Sequence, residues 1–135
     1  MKVKNFMVFN EMQQKAMNEL MKKDLRGVTA LKVIKIAREL DKLLNEINES
    51  IKIVREKYTK KDESGKVIHP IDDDGNTIAD RIVITNASEF QKEIDEILNV
   101  ENEIFPEMEL ITEEEIKGIN ISPNDIMILS WMFKI

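Results

Sequence analysis

The chain has 135 residues, of which 42% are hydrophobic and only 5% aromatic, with no cysteine and a formal net charge of −6. This length suits one domain, and the missing thiols exclude disulfides, cysteine nucleophiles and cysteine-ligated metal centres. No apolar run approaches the roughly 20 residues that a membrane span needs, so we expect no membrane contact.

Charge is divided unevenly between the two halves. Residues 1–67 hold 16 Lys/Arg and 10 Asp/Glu, whereas residues 68–135 hold 4 and 16. Either the halves attract each other, or each faces a different partner, or both are simply solvated surfaces.

The first predicted helix follows a short ambiguous segment. Val3–Phe9 alternates loosely and predicts a short strand or a lead-in to the helix. Asn10 with Gln13 has the pattern of a capping box, and the apolar spacing behind it predicts a helix to about Lys23. Gly27 then predicts a helix stop.

A long helix over Ala30–Thr59 is the strongest predicted element. We call its apolar row the heptad seam, because its members alternate at spacings of four and three: Val33, Ala37, Leu40, Leu44, Ile47, Ile51, Val54 and Tyr58. The rest of the chain could cover this seam. The helix is longer than a compact domain of this size needs, which favours a second copy or a partner helix on Leu40, Leu44, Ile47 and Ile51.

Residues 61–87 predict a β-hairpin. Two β-branched runs, Lys66–Ile71 and Thr77–Ile84, flank the turn residues Asp72-Asp73-Asp74-Gly75-Asn76. A calcium-binding loop with Gly75 at its sixth position would put Pro70 first and Arg81 twelfth, and neither can replace the required acids. The sequence therefore predicts a turn and no metal site. No internal repeat is recognised.

Residues 88–135 predict an acidic, helical C-terminal part. Ser88 with Gln91 predicts a capped helix to about Val100, and Ile104–Ile111 predicts an extended edge or a helix continuation. Thr112 with Glu115 predicts a short capped turn that ends at Gly118. Ser122-Pro123 predicts the start of an apolar last helix that contains Trp131 and docks on the protein's own core or on a partner.

Together these elements predict an α+β fold that is mainly α, in one domain spanning 1–135. It consists of a long helix with a short antiparallel partner helix (1–60), a β-hairpin (61–87) and two to three C-terminal helices (88–135).

The sequence shows no catalytic machinery. His69 is the only histidine and stands beside Pro70 without a recognisable nucleophile. The acids Glu113, Glu114 and Glu115 have the pattern of a solvated face, and no glycine-rich phosphate loop is present. We therefore expect a protein that is not an enzyme and takes no cofactor.

Protein partners are favoured over nucleic acid. The N-terminal half is basic, but its long helix is an apolar seam rather than a polar helix that reads bases. The net acidity also opposes phosphate binding. A protein partner or self-association is expected, with Leu40, Leu44, Ile47, Ile51, Asp72, Asp73, Asp74 and Trp131 as candidate contacts.

Over nearly its whole length the chain resembles a family of small proteins of tailed phages and prophages of Gram-positive bacteria. The resemblance is carried by the short first helix, the long helix running into Tyr58–Gly65, and the helix start at Ile121–Ile126. It implies a phage protein in the host cytoplasm or in the virion. The expected function is a minor structural or assembly component, with an acidic inhibitor of a host defence or nucleic-acid-binding protein as the alternative.

Overall fold

The computed structural model describes residues 2–104 and 110–134. It confirms the predicted class, a mainly helical α+β fold with one long helix, small strand pairs and C-terminal helices. The elements are β1 Lys2–Lys4, α1 Asn5–Val8, α2 Glu11–Met21, α3 Gly27–Tyr58, α4 Ala87–Leu98, β2 Glu101–Glu103, β3 Ile111–Thr112, α5 Pro123–Ile128 and β4 Phe133–Lys134, with 3₁₀ turns at Glu114–Ile116 and Ser130–Met132.

The chain divides into two compact units. The first takes in the described residues of Met1–Ile47 and Leu98–Ile135, and the second is Asn48–Ile97. Helix α3 therefore contributes residues to both. The prediction of one domain over 1–135 stays a prediction.

The core of the first unit combines the helices with the C-terminal segment. Its buried members are Ala16, Met17, Leu20, Val33, Ile36, Ile111, Leu129, Met132 and Phe133. Burial of an aliphatic side chain of this size stabilises a fold by about 1.5–3 kcal/mol. Of the two docking alternatives for the apolar C-terminal segment, the structure supports the protein's own core, because Leu129, Met132 and Phe133 are buried in it.

The first unit contains two pairs of short strands. β1 pairs antiparallel with β2, and β3 pairs parallel with β4. The segment Val3–Phe9 thus contains both alternatives, because strand β1 leads directly into α1. Of the predicted segment Ile104–Ile111, residues 105–109 lie outside the described part of the chain.

Three predicted caps are present in the structure. The Asn10 side chain accepts a hydrogen bond from the Met12 N–H at 2.8 Å, and Ser122 accepts from Asp125 at 3.1 Å. Thr112 and Glu115 cap each other: Thr112 Oγ1 accepts from the Glu115 N–H at 3.3 Å, and the Glu115 carboxylate accepts from the Thr112 N–H at 3.2 Å. These caps were predictable because each depends on residues three positions apart or fewer.

Other boundary predictions are wrong. Helix α3 begins at Gly27 rather than Ala30, because the Arg26 carbonyl already accepts from the Ala30 N–H at 2.7 Å. Helix α4 begins at Ala87, so Ser88 lies inside it and does not cap it. The Gln91 side chain instead donates to Asp95 at 2.9 Å along the exposed helix surface.

The turn of the predicted β-hairpin is present, and isolated antiparallel bridges stand where its two strands were expected. Asp72 and Gly75 close the expected turn, since the Gly75 N–H donates to the Asp72 carbonyl at 3.0 Å and Gly75 has a φ of 82°. The flanking runs form only isolated bridges, Thr59↔Ile84, Lys61↔Val67 and Ile71↔Thr77. The Ile78 N–H donates to the Pro70 carbonyl at 2.8 Å, but Pro70 has no N–H to return the bond, so the pairing is not continued there.

Two turns between α3 and α4 repeat the same construction ten residues apart, which the sequence analysis missed. One carboxylate oxygen of Asp62 accepts from the N–H groups of Ser64 and Lys66, and Asp72 does the same for Asp74 and Asn76. Backbone hydrogen bonds also join three residues around these turns, Lys60, Ile68 and Val83, in a closed triangle. The segment between α3 and α4 thus contains two turns and isolated bridges where strands were expected.

No helix in the described part of the chain is long and apolar enough to cross a membrane.

Candidate protein-binding site

The first unit has a concave surface between its N-terminal helices and α3, which we call the helical groove. Its apolar wall comprises Met7, Met17, Met21, Leu40, Leu44 and Trp131, and its polar rim Gln13, Gln14, Asn18 and Asp41; Val3, Val8 and Ala37 complete the lining. The cavity measures about 260 Å³, which is below the usual range for drug-sized ligands. A space of this size has room for one or two protein side chains.

Methionine gives this groove an adaptable wall. Met side chains are unbranched and have three rotatable bonds, so they adjust to an incoming apolar group at little cost. Met17 is buried beneath the groove, whereas Met21 is 44% exposed at its edge. The groove therefore has a buried base and an exposed edge whose side chain can change conformation.

Gln13 fixes the far wall of the groove. Its amide nitrogen donates to the Ile128 carbonyl at 2.6 Å, and its amide oxygen accepts from the Trp131 indole N–H at 3.1 Å. These two bonds orient the indole and join α2 to the C-terminal segment. The predicted capping role of Gln13 is wrong, because its side chain is used in this long-range contact.

The structure brings together three of the eight predicted contact residues. Leu40, Leu44 and Trp131 line the helical groove. Ile47 is 2% exposed, so a partner does not reach its side chain in this conformation, and Ile51 is half-buried in the second unit.

The three acids of the second unit lie elsewhere. Asp72, Asp73 and Asp74 stand exposed on their turn, and the Asp72 carboxylate is occupied by backbone N–H groups of that turn. The heptad seam as a whole is buried or half-buried within one chain, and none of its members is exposed.

Sequence reasoning missed several lining residues of the groove, on α1, α2 and α3. Met7, Asn18 and Asp41 carried no distinguishing pattern, because their meeting depends on how α1, α2 and α3 pack. The indole N–H of Trp131 was the one available signal, since a largely buried indole N–H needs a hydrogen-bond acceptor.

A polar cluster secures the first turns of α3 to the C-terminal segment. The Lys32 ammonium donates to Glu115 Oε1 at 2.7 Å, and the Thr29 hydroxyl donates to Glu115 Oε2 at 3.3 Å. Partial burial alone would raise the pKa of Glu115, but hydrogen bonds from Lys32 and Thr112 outweigh it and hold this pKa below its usual value. The cluster is structural in character, because each member has a partner.

The second unit has its own cluster, where α4 meets the end of α3. The rings of Tyr58 and Phe90 make an edge-to-face contact at 6.0 Å, and the Lys57 ammonium contacts Glu93 at 3.1 Å. A hydrogen bond with Glu93 raises the pKa of Tyr58. Within the described residues, no group of three or more His, Cys, Asp or Glu is placed to hold a metal ion.

A groove between helices that has room for one or two side chains is a candidate site for a protein partner. In comparison with known proteins, residues 11–49 are similar to the Spo0E-like sporulation regulatory protein family. The matched segment covers all of α2 and α3 as far as Glu49. No curated protein and no solved structure matches the chain.

This match corrects the phage interpretation. The resemblance to phage proteins is wrong, and with it both expected functions, the structural or assembly component and the acidic inhibitor of a host protein. Placement in a virion has no support either. The features behind that resemblance, a long helix and a proline-started helix, occur in many unrelated helical proteins and carry no identity.

Proposed function

We propose that this chain is a regulatory protein that acts on sporulation by binding a protein partner through the helical groove. One observation carries the proposal. The segment that matches the sporulation regulatory family supplies nine of the groove's thirteen lining residues, namely Gln13, Gln14, Met17, Asn18, Met21, Ala37, Leu40, Asp41 and Leu44.

The groove has the chemistry of an anchor pocket. Protein interfaces gain most of their affinity from a few apolar or aromatic side chains seated in well-packed pockets. An aliphatic side chain moved from water into such a pocket contributes about 1.5–3 kcal/mol. The polar rim of Gln14, Asn18 and Asp41 supplies hydrogen-bonding groups around that anchor.

The groove is also held in shape before a partner arrives. Gln13 fixes the Trp131 indole, and the buried core beneath the groove includes Met17, Leu20 and Val33. A preformed pocket avoids much of the ordering cost of binding. Regulation by binding needs no catalytic step in this chain, and the absence of enzymatic activity stays a prediction.

The test compares two identical substitutions on α2. Met21→Glu places a carboxylate in the groove, whereas Met12→Glu places one on the same helix outside it, where Met12 is 57% exposed. Each variant is expressed in a spore-forming bacterium, and heat-resistant spores are counted against the wild type and an empty vector.

We expect the wild type and Met12→Glu to change the spore count alike, and Met21→Glu to resemble the empty vector. A buried, unpaired carboxylate strongly disfavours the occupied groove. Equal activity of both variants would remove the groove from the proposal. No effect of the wild type on spore count would overturn the proposal as a whole.

A further inference from the structure

A second surface of the matched segment lies on the side of α3 away from the core. Five residues at alternating spacings of three and four form what we call the basic stripe: Val28, Leu31, Lys35, Arg38 and Lys42. All five are exposed, and the two apolar members are exposed by 71% and 51%. Single exposed apolar residues are ordinary, but here two adjoin three cations in one row.

We infer that the basic stripe binds an acidic amphipathic helix of the protein partner, with two apolar residues facing Val28 and Leu31 and acids facing Lys35, Arg38 and Lys42. The inference rests on the proposed function, because it describes the partner of the same regulatory segment. It goes beyond the groove by naming the chemistry that this partner presents.

The spacing of the stripe argues for a helix as occupant. Residues that alternate by three and four positions stay on one side of a helix, and a second helix can follow such a row in register. From Val28 to Lys42 the row runs for about 21 Å at 1.5 Å per residue. That is enough for three to four turns of a partner helix.

The three cations of the stripe argue for an acidic partner. In the described part of the chain none of Lys35, Arg38 and Lys42 belongs to an ion pair. Charged residues that flank an apolar contact set partner choice and direction in helix pairs. Three unpaired cations beside an apolar pair therefore select acids.

The same helix disfavours a lipid or nucleic-acid surface. Exposed acids Asp41, Glu46 and Glu49 stand beside or beyond the cations, and the whole chain carries a net charge of −6. A continuous phosphate surface would meet these carboxylates as well as the cations, and like charges repel it. A helix can instead match the row residue by residue.

The experiment uses the full chain and helix-stabilised peptides as probes. The first peptide presents two leucines and three glutamates at the matching spacings, and it is made in two versions, with the leucines before or after the glutamates. The second peptide has lysine in place of each glutamate. The test variant is Lys35→Glu, Arg38→Glu and Lys42→Glu together. The control reverses three exposed cations elsewhere, Lys15, Lys52 and Lys66, and so carries the same net charge.

We expect the wild type and the control to bind one of the two versions of the glutamate peptide, with an affinity that falls as the salt concentration rises. The test variant should bind the glutamate peptide about tenfold more weakly, because each of the three exposed ion pairs contributes a few-fold in affinity. It should also gain affinity for the lysine peptide. Circular dichroism checks the fold; if the test variant unfolds, replacing the same three cations with glutamine takes its place.

Three results would overturn the inference. They are absence of binding to every peptide, equal binding of the test variant and the control, and preference of the wild type for phosphatidylserine vesicles or duplex DNA over the glutamate peptide. The spore count separates this inference from the proposed function. If Met21→Glu abolishes the effect on spores and the test variant keeps it, the groove stands and the stripe fails.

Discussion

Glu115 connects the start of α3 to the C-terminal segment, and its removal gives the most direct test of how the first unit is held together. Its carboxylate accepts from Lys32 at 2.7 Å, from Thr29 at 3.3 Å and from both the N–H and hydroxyl of Thr112 at 3.2 Å. The Lys32 and Glu115 side chains are 19% and 20% exposed, so water screens their ion pair only in part. The perturbation is Glu115→Ala.

The expected loss of stability has two parts. A capping interaction contributes about 1 kcal/mol, and a charge-assisted hydrogen bond about 1.5–3 kcal/mol. Because the contacts share one carboxylate and are not additive, we expect Glu115→Ala to lower the free energy of unfolding by about 2–3 kcal/mol. Glu114→Ala, at an exposed neighbouring position, should change it by less than about 0.5 kcal/mol.

Urea unfolding followed by tryptophan fluorescence measures both values, because Trp131 is the only tryptophan and is packed against the core of the first unit. The expected result is a lower midpoint for Glu115→Ala with an unchanged slope. Equal midpoints for Glu115→Ala and Glu114→Ala would refute the reasoning.

The same carboxylate predicts a dependence on pH. The pKa of Glu115 is lower in the folded chain than the ordinary value of 4.5. Its contribution is therefore fully present above that value and is lost as pH falls through the folded pKa. Glu115→Gln should flatten this part of the curve of unfolding free energy against pH, and an unchanged curve would show that the ion pair contributes nothing.

Three further predictions test other parts of the structure. Gln13→Ala removes the hydrogen bonds to Ile128 and Trp131 and should cost about 1–2 kcal/mol of unfolding free energy; unchanged stability would mean that Gln13 does not hold the groove wall. Gly75→Ala should destabilise the chain by about 1 kcal/mol because Gly75 has a φ of 82°. Gly27→Ala, at the first position of α3, should stabilise the chain by about 0.4–1 kcal/mol, because the added methyl group comes within 4 Å of no packed neighbour outside the adjoining backbone. Thermal melts give both signs, and equal signs would contradict the assigned backbone. Glu93→Gln should lower the pKa of Tyr58 towards 10.0, as measured by ultraviolet absorbance against pH, and an unmoved titration would exclude the Tyr58–Glu93 hydrogen bond.

The sequence predicted those parts of the fold that depend on local chemistry. The long helix, the caps at Asn10, Thr112 and Ser122, and the turn at Gly75 all follow from residues a few positions apart. The pairing of β1 with β2 was not predictable in this way. β2 is Glu-Asn-Glu, which has no strand character, and its partner lies about a hundred residues away.

The site was predictable in part. Leu40 and Leu44 stood out through their apolar spacing, and Trp131 through its place in an apolar segment, and all three line the helical groove. Spacing alone could not show that Ile47 is buried while Leu44 reaches the groove, because both belong to the same seam. The basic stripe was also missed, because the basic N-terminal half was considered only as a possible nucleic-acid surface.

Site-specific photo-crosslinking in sporulating cells tests directly whether a protein partner occupies the helical groove. A photoreactive amino acid replaces Met21 in the groove or, as control, Met12 on the same helix outside it. We expect one protein to be crosslinked from position 21 and not from position 12, and its yield to fall when Leu44→Glu is added in a chain that remains folded. Identical products from both positions, or none from position 21, would contradict binding of a protein partner in the helical groove.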